Sequence, residues 1–144
     1  MSPSVPDYLV IGHITKDLLP EGGYTLGGTA TYSALAALRL GLQVGVLTSV
    51  EPDLPLFCDV EQNGHRVAVH RLSAAHTTTF ENLYDADGRR QFVREVADVL
   101  RPDHLPPDWS RAPIVHLGPI AQEVSTELAE VFTHSLVGVT PQGW

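Results

Sequence analysis

The sequence predicts an α/β fold in which helices flank a mainly parallel β-sheet and an antiparallel β-hairpin projects from it. Three observations support this prediction. Short, β-branched and almost continuously apolar runs suit parallel strands that are buried on both faces. The order strand, loop, helix, strand near the N-terminus is typical of a right-handed βαβ unit. An Asp-Gly pair, Asp87-Gly88, lies between two β-prone runs and indicates a hairpin.

The N-terminal part of the chain supplies the βαβ unit. The apolar run 7–12 predicts the first strand, and the polar, glycine-rich residues 13–28 are too irregular for a helix and are read as a loop. Residues 29–40 place alanine and leucine on one helical face, and Gly41 stands where a left-handed C-terminal cap is expected. Residues 43–49 form the next strand.

The middle of the chain is less regular. Residues 51–64 contain two prolines and fit either one short helix or a loop, and the pattern does not decide between them. The alternating tract 66–72 predicts a strand. The Asp-Gly turn is flanked by two β-prone runs, residues 77–84 and 89–93, which predict an antiparallel hairpin with one solvent-exposed face.

The last third of the chain begins with a proline-rich linker and returns to strand and helix patterns. Residues 114–117 and 136–139 predict strands. Between them, the apolar residues after Gly118-Pro119 recur at i, i+4, i+7 and i+8 and predict an amphipathic helix. These residues are Val124, Leu128, Val131 and Phe132.

Composition limits the function classes. The 144 residues, 43% of them hydrophobic and 18% charged, match a single globular unit, 1–144. Nine Lys+Arg against 17 Asp+Glu give a net charge of −8 without a basic patch, so we expect no nucleic-acid or membrane partner. The longest apolar tract, 34–42, is shorter than the roughly 20 residues that span a bilayer.

The cysteine and histidine content points to a cytoplasmic protein without a structural metal. Cys58 is the single cysteine, so it cannot form an internal disulfide, and it is interpreted as a core thiol. The N-terminus lacks a signal-peptide core. Six histidines are scattered without paired ligand spacing, while His13 lies in the loop after the first strand and is a candidate ligand contact.

The glycine-rich loop is the first candidate site. Residues 22–29 have the glycine spacing of a P-loop, but Gly28 stands where its lysine must be, so a nucleotide site is disfavoured. Gly27 and Gly28 allow close approach of backbone to a ligand, and the helix that follows aims N–H groups at it. Asp17 would accept hydrogen bonds from two hydroxyls at the mouth of the first strand. The alternative is that the glycines serve turns and Asp17 is a solvated loop carboxylate.

These residues resemble a known family. The segment Leu9-Val10-Ile11-Gly12-His13-Ile14-Thr15-Lys16-Asp17, the segment Gly27-Gly28-Thr29-Ala30-Thr31-Tyr32-Ser33-Ala34 and Leu38-Arg39-Leu40-Gly41 together resemble the N-terminal signature of ribokinase-like, PfkB-type carbohydrate kinases. The resemblance implies a Rossmann-like sheet with a lid formed by segments 13–28 and 77–96. It covers the N-terminal half of that family only, so the chain is expected to be truncated relative to it.

The resemblance also implies roles for individual residues. Asp17 would bind sugar hydroxyls, and the lid would close over the sugar and exclude water. Tyr32 stands where the family usually has asparagine, and Glu51 stands where a glycine commonly follows the second strand. The candidate substrate-binding residues are Asp17, Gly27, Gly28, Tyr32 and His13.

The family's catalytic base, anion hole and ATP pocket lie in a Gly-Ala-Gly-Asp-like motif that has no match in this sequence. ATP and Mg²⁺ are therefore implied for a full-length family member, and no catalytic, cofactor or metal residue is assigned here. The sequence predicts the sugar- or nucleoside-binding half of an ATP-dependent kinase, inactive by itself. The alternative is a non-catalytic module that binds a small polyol or forms a homodimer through its lid. A nucleotide-binding redox domain is disfavoured because no GxGxxG occurs.

Overall fold

The computed structural model describes residues 4–57, 61–62 and 64–144, which form two β-sheets and an α-helix. Cys58, interpreted as a core thiol, lies outside the described residues. No helix in the described part of the chain is long and apolar enough to cross a bilayer. The cytoplasmic setting stays a prediction.

The main sheet has six strands in the order β10-β9-β1-β4-β6-β5, and neighbouring strands are parallel except for β5 and β6. This confirms the predicted mainly parallel sheet. Its strands are β1 (Tyr8–Ile11), β4 (Val44–Val50), β5 (Glu61–Gln62), β6 (His65–Ser73), β9 (Ile114–Leu117) and β10 (Leu136–Val139).

Helix α1 (Gly28–Arg39) crosses from the lid to β4 and packs on one face of the main sheet. Its alanine-rich stripe lets the helix lie close to the strands, with Ala30 and Ala34 fully buried. Gly41 has φ +84, the left-handed conformation predicted for the cap, and its N–H donates to the Leu38 carbonyl at 3.0 Å. The predicted first strand, helix and second strand are therefore confirmed.

The opposite face of the main sheet is covered by the proline-rich segment and the turns that follow it. Trp109, 1% exposed, packs there with buried residues of β1, β4 and β9. Leu128 and Phe132 fill the same cluster. Because both faces of the central strands are covered, the sheet is buried as its apolar sequence predicted.

The second sheet, which we call the lid sheet, has the order β3-β2-β7-β8. Strands β2 and β7 are parallel, and the other neighbouring pairs are antiparallel. The two segments expected to form a lid, 13–28 and 77–96, therefore meet in one sheet. Its strands are β2 (Thr15–Leu18), β3 (Tyr24–Gly27), β7 (Thr79–Asp85) and β8 (Gly88–Glu95).

Two sequence-based interpretations are wrong. Residues 13–28 are not an irregular loop but hold β2 and β3, whose pairing with β7 could not be read from their local pattern. The segment after Gly118-Pro119 is not an α-helix, because Gln122 has φ 61 and the Glu123 carboxylate accepts hydrogen bonds from nearby backbone N–H groups. Only a 3-10 turn, Thr126–Glu130, forms there. For residues 51–64, where the pattern left helix or loop open, the described residues 51–57 form a loop.

The non-helical segment still contributes to the core, which a matched pair of substitutions tests. We expect Leu128→Ala to lower the free energy of unfolding by about 2–5 kcal/mol, because the side chain is fully buried. Leu136→Ala, at a leucine that is 72% exposed, should change it by less than about 0.5 kcal/mol. Urea denaturation measures both, and equal effects would contradict this description of the core.

Candidate polyol-binding cavity

An open cavity of about 410 Å³ lies between the lid sheet, the N-terminus of α1 and the loop after β9. It stands outside the carboxyl end of β1, where open α/β sheets bind ligands. Among the described residues that line it, Asp17 carries the only charge. The lining residues are Thr15, Asp17, Gly28, Thr29, Tyr32, Ser33, Phe80, Gln91, Ile120 and Gln142.

Asp17 reaches the cavity from the middle of β2. Successive side chains of a strand point to opposite faces, so Asp17 faces the cavity while Lys16 faces away. The Thr15 hydroxyl donates a hydrogen bond of 3.0 Å to Asp17 Oδ1, which holds one carboxylate oxygen in place. Oδ2 accepts no hydrogen bond from the described residues, so this arrangement suits ligand hydroxyls that donate to the carboxylate.

Gly27 makes room for that carboxylate. A Cβ atom at this position would lie 2.2 Å from Asp17 Oδ2 and 2.7 Å from its Cγ. Any side chain there would displace Asp17. Gly27 is not among the lining residues, so its part in the site is to permit the position of Asp17.

Gly28 lines the cavity and begins α1 with φ +87, a conformation that favours glycine. A Cβ atom added at Gly28 would lie only 2.6 Å from the His13 carbonyl oxygen. The start of the helix therefore packs closely against the β1–β2 connection. No side chain caps the first turn of α1. The N-terminal N–H groups therefore remain donors directed toward the cavity.

Tyr32 lines the cavity from the second turn of α1 and is 64% exposed. It is therefore not a packing residue of the helix. Thr29 and Ser33 lie on the same side of α1, and the Ser33 hydroxyl donates to the Thr29 carbonyl at 2.6 Å. From the sequence, the 3.6-residue period of a helix that starts at Gly28 is the signal that would have predicted Thr29 and Ser33 beside Tyr32.

His13 was expected to contact ligand, and the structure places it elsewhere. The residue is fully buried and does not line the cavity. Its Nδ1 lies 2.6 Å from Thr78 Oγ1, and its Nε2 lies 2.8 Å from the Asp98 carbonyl oxygen. Burial lowers the pKa of its imidazole, against the opposing effects of Glu123 and Asp98. His13 therefore ties the β1–β2 connection to the ends of the lid hairpin.

Glu123, 1% exposed, organises the loop that bounds the cavity on the core side. Its carboxylate accepts backbone N–H groups of Ile120 at 2.9 Å, Ala121 at 2.7 Å and His13 at 3.2 Å. These bonds place Ile120 against the cavity. They also satisfy a buried charge that would otherwise be costly.

The sequence did not identify the lid residues that line the cavity. Phe80 of β7 pairs in register with Asp17, and Gln91 projects from β8. Both positions depend on the pairing of β2 with β7, which joins distant parts of the chain. Gln142, from the turn after β10, also lines the cavity and carries no local sequence signal.

The described residues that line this cavity do not fit the phosphates of a nucleotide. Within residues 4–57, 61–62 and 64–144, no group of three or more His, Cys, Asp or Glu side chains could hold a metal ion. The one charge lining the cavity is a carboxylate, which repels phosphate.

Solved structures with the same fold include ribokinase-family kinases. A pyrophosphate-dependent kinase of that family, complexed with a pyrophosphate analog and myo-inositol, is 26% identical with a TM-score of 0.72, covering 94% of this chain and 50% of that one. A sugar kinase from Pyrococcus horikoshii in complex with ATP is 19% identical (TM-score 0.67, 92% and 52% covered). Arabidopsis thaliana ribokinase complexed with ribose and ATP is 16% identical (TM-score 0.58, 94% and 52%).

The chain spans about half the length of the solved kinases it matches. No protein-family model matches the sequence, and no curated protein matches it. The resemblance to ribokinase-family kinases is nevertheless confirmed by these structures, as is the α/β fold with its second, lid-like sheet.

The start of α1 gives a stability test. We expect Gly28→Ala to lower the free energy of unfolding by about 1–3 kcal/mol, because it combines a positive φ with a backbone clash. The control is Gly22→Ala, where φ is +100 but no atom lies within 4 Å of the new Cβ, so only the backbone cost of about 1 kcal/mol applies. Thermal or urea unfolding compares them, and equal losses would show that the contact with His13 is not tight.

Proposed function

We propose that this chain supplies the acceptor-binding half of a kinase that phosphorylates a hydroxyl of a sugar, another small polyol or a nucleoside. The observation that supports it best is the Asp17 carboxylate, which stands in an open cavity with one oxygen free of hydrogen bonds from the described residues. Neutral hydroxyl and amide groups surround it, and the uncapped start of α1 adds N–H donors. Such a set matches the alternating donors and acceptors of a polyol.

The chain's own residues would bind and orient the acceptor. Asp17 would accept hydrogen bonds from two adjacent hydroxyls, and the N–H groups of α1 would donate to a third oxygen. Phe80 and Ile120 would cover the apolar faces of the ring. The lid sheet would exclude bulk water from the bound hydroxyl, which phosphoryl transfer requires.

The phosphoryl donor would bind outside the described residues. The sequence resemblance implies ATP with Mg²⁺, and two of the similar kinases are ATP complexes. Another is pyrophosphate-dependent. Because the sequence has no match to the family's Gly-Ala-Gly-Asp-like motif, we propose that this chain alone binds no nucleotide and transfers no phosphate.

Polyol binding by the chain tests this function. Isothermal titration with myo-inositol, ribose and adenosine should detect binding of at least one of them. Asp17→Asn should weaken that binding by about tenfold or more, because a hydrogen bond to a charged acceptor contributes about 1.5–3 kcal/mol. Gly27→Ala should weaken it too, because the new Cβ displaces the carboxylate.

The matched control is Asp87→Asn, which removes an exposed carboxylate at the tip of the lid hairpin and should leave binding unchanged. Titration with ATP and Mg²⁺ should give no saturable binding. Binding of the polyol by Asp17→Asn with wild-type affinity would contradict the proposed site. Micromolar ATP affinity would contradict the assignment of the donor site to groups outside this chain.

We also propose that the chain forms a homodimer through the lid sheet. The unpaired edge of strand β8 favours this second role. All eight residues of β8 are exposed, and Phe92 and Val93 are 36% and 51% exposed. A strand with an unpaired edge can pair with a copy of itself. Sedimentation should show concentration-dependent dimers that Phe92→Lys abolishes and that Leu40→Lys, at an exposed leucine just after α1, does not. A wild-type monomer at all concentrations would reject the dimer.

A further inference from the structure

The lid sheet and the main sheet are joined by an ion pair directly beside Asp17. Lys16 Nζ lies 2.6 Å from Glu51 Oε2. Lys16 belongs to β2 of the lid sheet, and Glu51 follows β4 of the main sheet. The other ion pairs of the described residues lie within the lid hairpin or between residues three apart, so among these ion pairs only Lys16–Glu51 connects the two sheets.

The Glu51 end of the pair is anchored to the core. Its backbone N–H donates to Thr77 Oγ1 at 3.0 Å, and its carbonyl accepts from Arg71 Nη1 at 3.3 Å. The same guanidinium also donates to the carbonyls of Pro52 and Leu54. The carboxylate therefore extends from a loop whose backbone is fixed to β6.

The Lys16 end is partly enclosed. The side chain is 22% exposed, and its ammonium lies 5.3 Å from the centre of the Tyr24 ring on the neighbouring strand β3. Lys16 and Tyr24 thus face the groove beside Glu51, opposite to the cavity face of Asp17. Because Lys16 and Asp17 are consecutive residues of β2, a restraint on the position of Lys16 also restrains the backbone that carries the Asp17 carboxylate.

We propose that Lys16 and Glu51 are positioning residues whose ion pair holds β2 against the core and thereby sets the position of Asp17 in the cavity. His13, just before β2, provides a second, buried connection through Thr78 and Asp98. The two side chains of the ion pair are partly exposed, at 22% and 35%. The link to polyol affinity rests on the proposed function, whereas the restraint on β2 does not.

A double-mutant cycle tests this proposal. Lys16→Met and Glu51→Gln should each weaken binding of the polyol found by titration about two- to fivefold, the range expected for an exposed ion pair. The double variant should bind no more weakly than either single variant, because both remove the same interaction. Lys16→Arg, which keeps the charge, should bind like the wild type. Salt should weaken wild-type binding toward that of the variants.

The matched control is Glu81→Gln, which removes an ion pair with Arg94 inside the lid hairpin and should leave polyol affinity and β2 unchanged. Amide hydrogen exchange measures β2 directly, and its N–H groups should exchange faster in both single variants. The proposal would be overturned if Lys16→Met and Glu51→Gln kept the wild-type amide exchange rates and polyol affinity. It would also be overturned if the losses of affinity in the two single variants added up in the double variant. If the wild type bound no polyol, the proposed function would fail, and the exchange rates alone would decide on the restraint of β2.

Discussion

The close approach of the Asp17 carboxylate to the backbone of Gly27 is the constraint on which the site depends. A Cβ atom added at Gly27 would lie 2.2 Å from Asp17 Oδ2, so the backbone has room there only for the hydrogen of glycine. This approach is possible because β2 and β3 pair with Asp17 opposite Thr25 and because α1 begins immediately afterwards. One short segment thus places a carboxylate acceptor and the donors of a helix N-terminus on the same cavity.

The elements that the sequence predicted well are those whose stability is decided locally or by burial on both faces. The first strand and α1 have strong hydrophobic patterns and a clear glycine cap at Gly41. Strands β2 and β3 have four residues each, mostly polar or half-buried, and they exist because β7 pairs with β2 from more than sixty residues away. The failed helix prediction has another cause: Glu123 accepts the N–H groups that a helix would need, while Leu128 and Phe132 reach the core from a 3-10 turn.

The residues of the candidate site also fall into two groups: those that the sequence identifies locally, and those that only the pairing of distant strands brings to the cavity. Asp17, Gly28 and Tyr32 could be found from the sequence, because they lie in the two segments, 9–17 and 27–34, that carry the resemblance, and they line the cavity. His13 belongs to that motif but turns into the core, where Thr78 and Asp98 engage its ring. Phe80 and Gln91 come from the lid hairpin, and their approach to Asp17 depends on the register between strands distant in sequence. A motif identifies residue types, whereas the sheet register determines which of them share a cavity.

The proposed function requires that a polyol bind at Asp17, and a crystal structure of the chain with the polyol found by titration tests this most directly. We expect ligand oxygens about 2.5–3.0 Å from an Asp17 carboxylate oxygen, with the ring between α1 and the lid sheet. A polyol bound away from this cavity, or an Asp17 carboxylate turned away from the bound ligand, would contradict it.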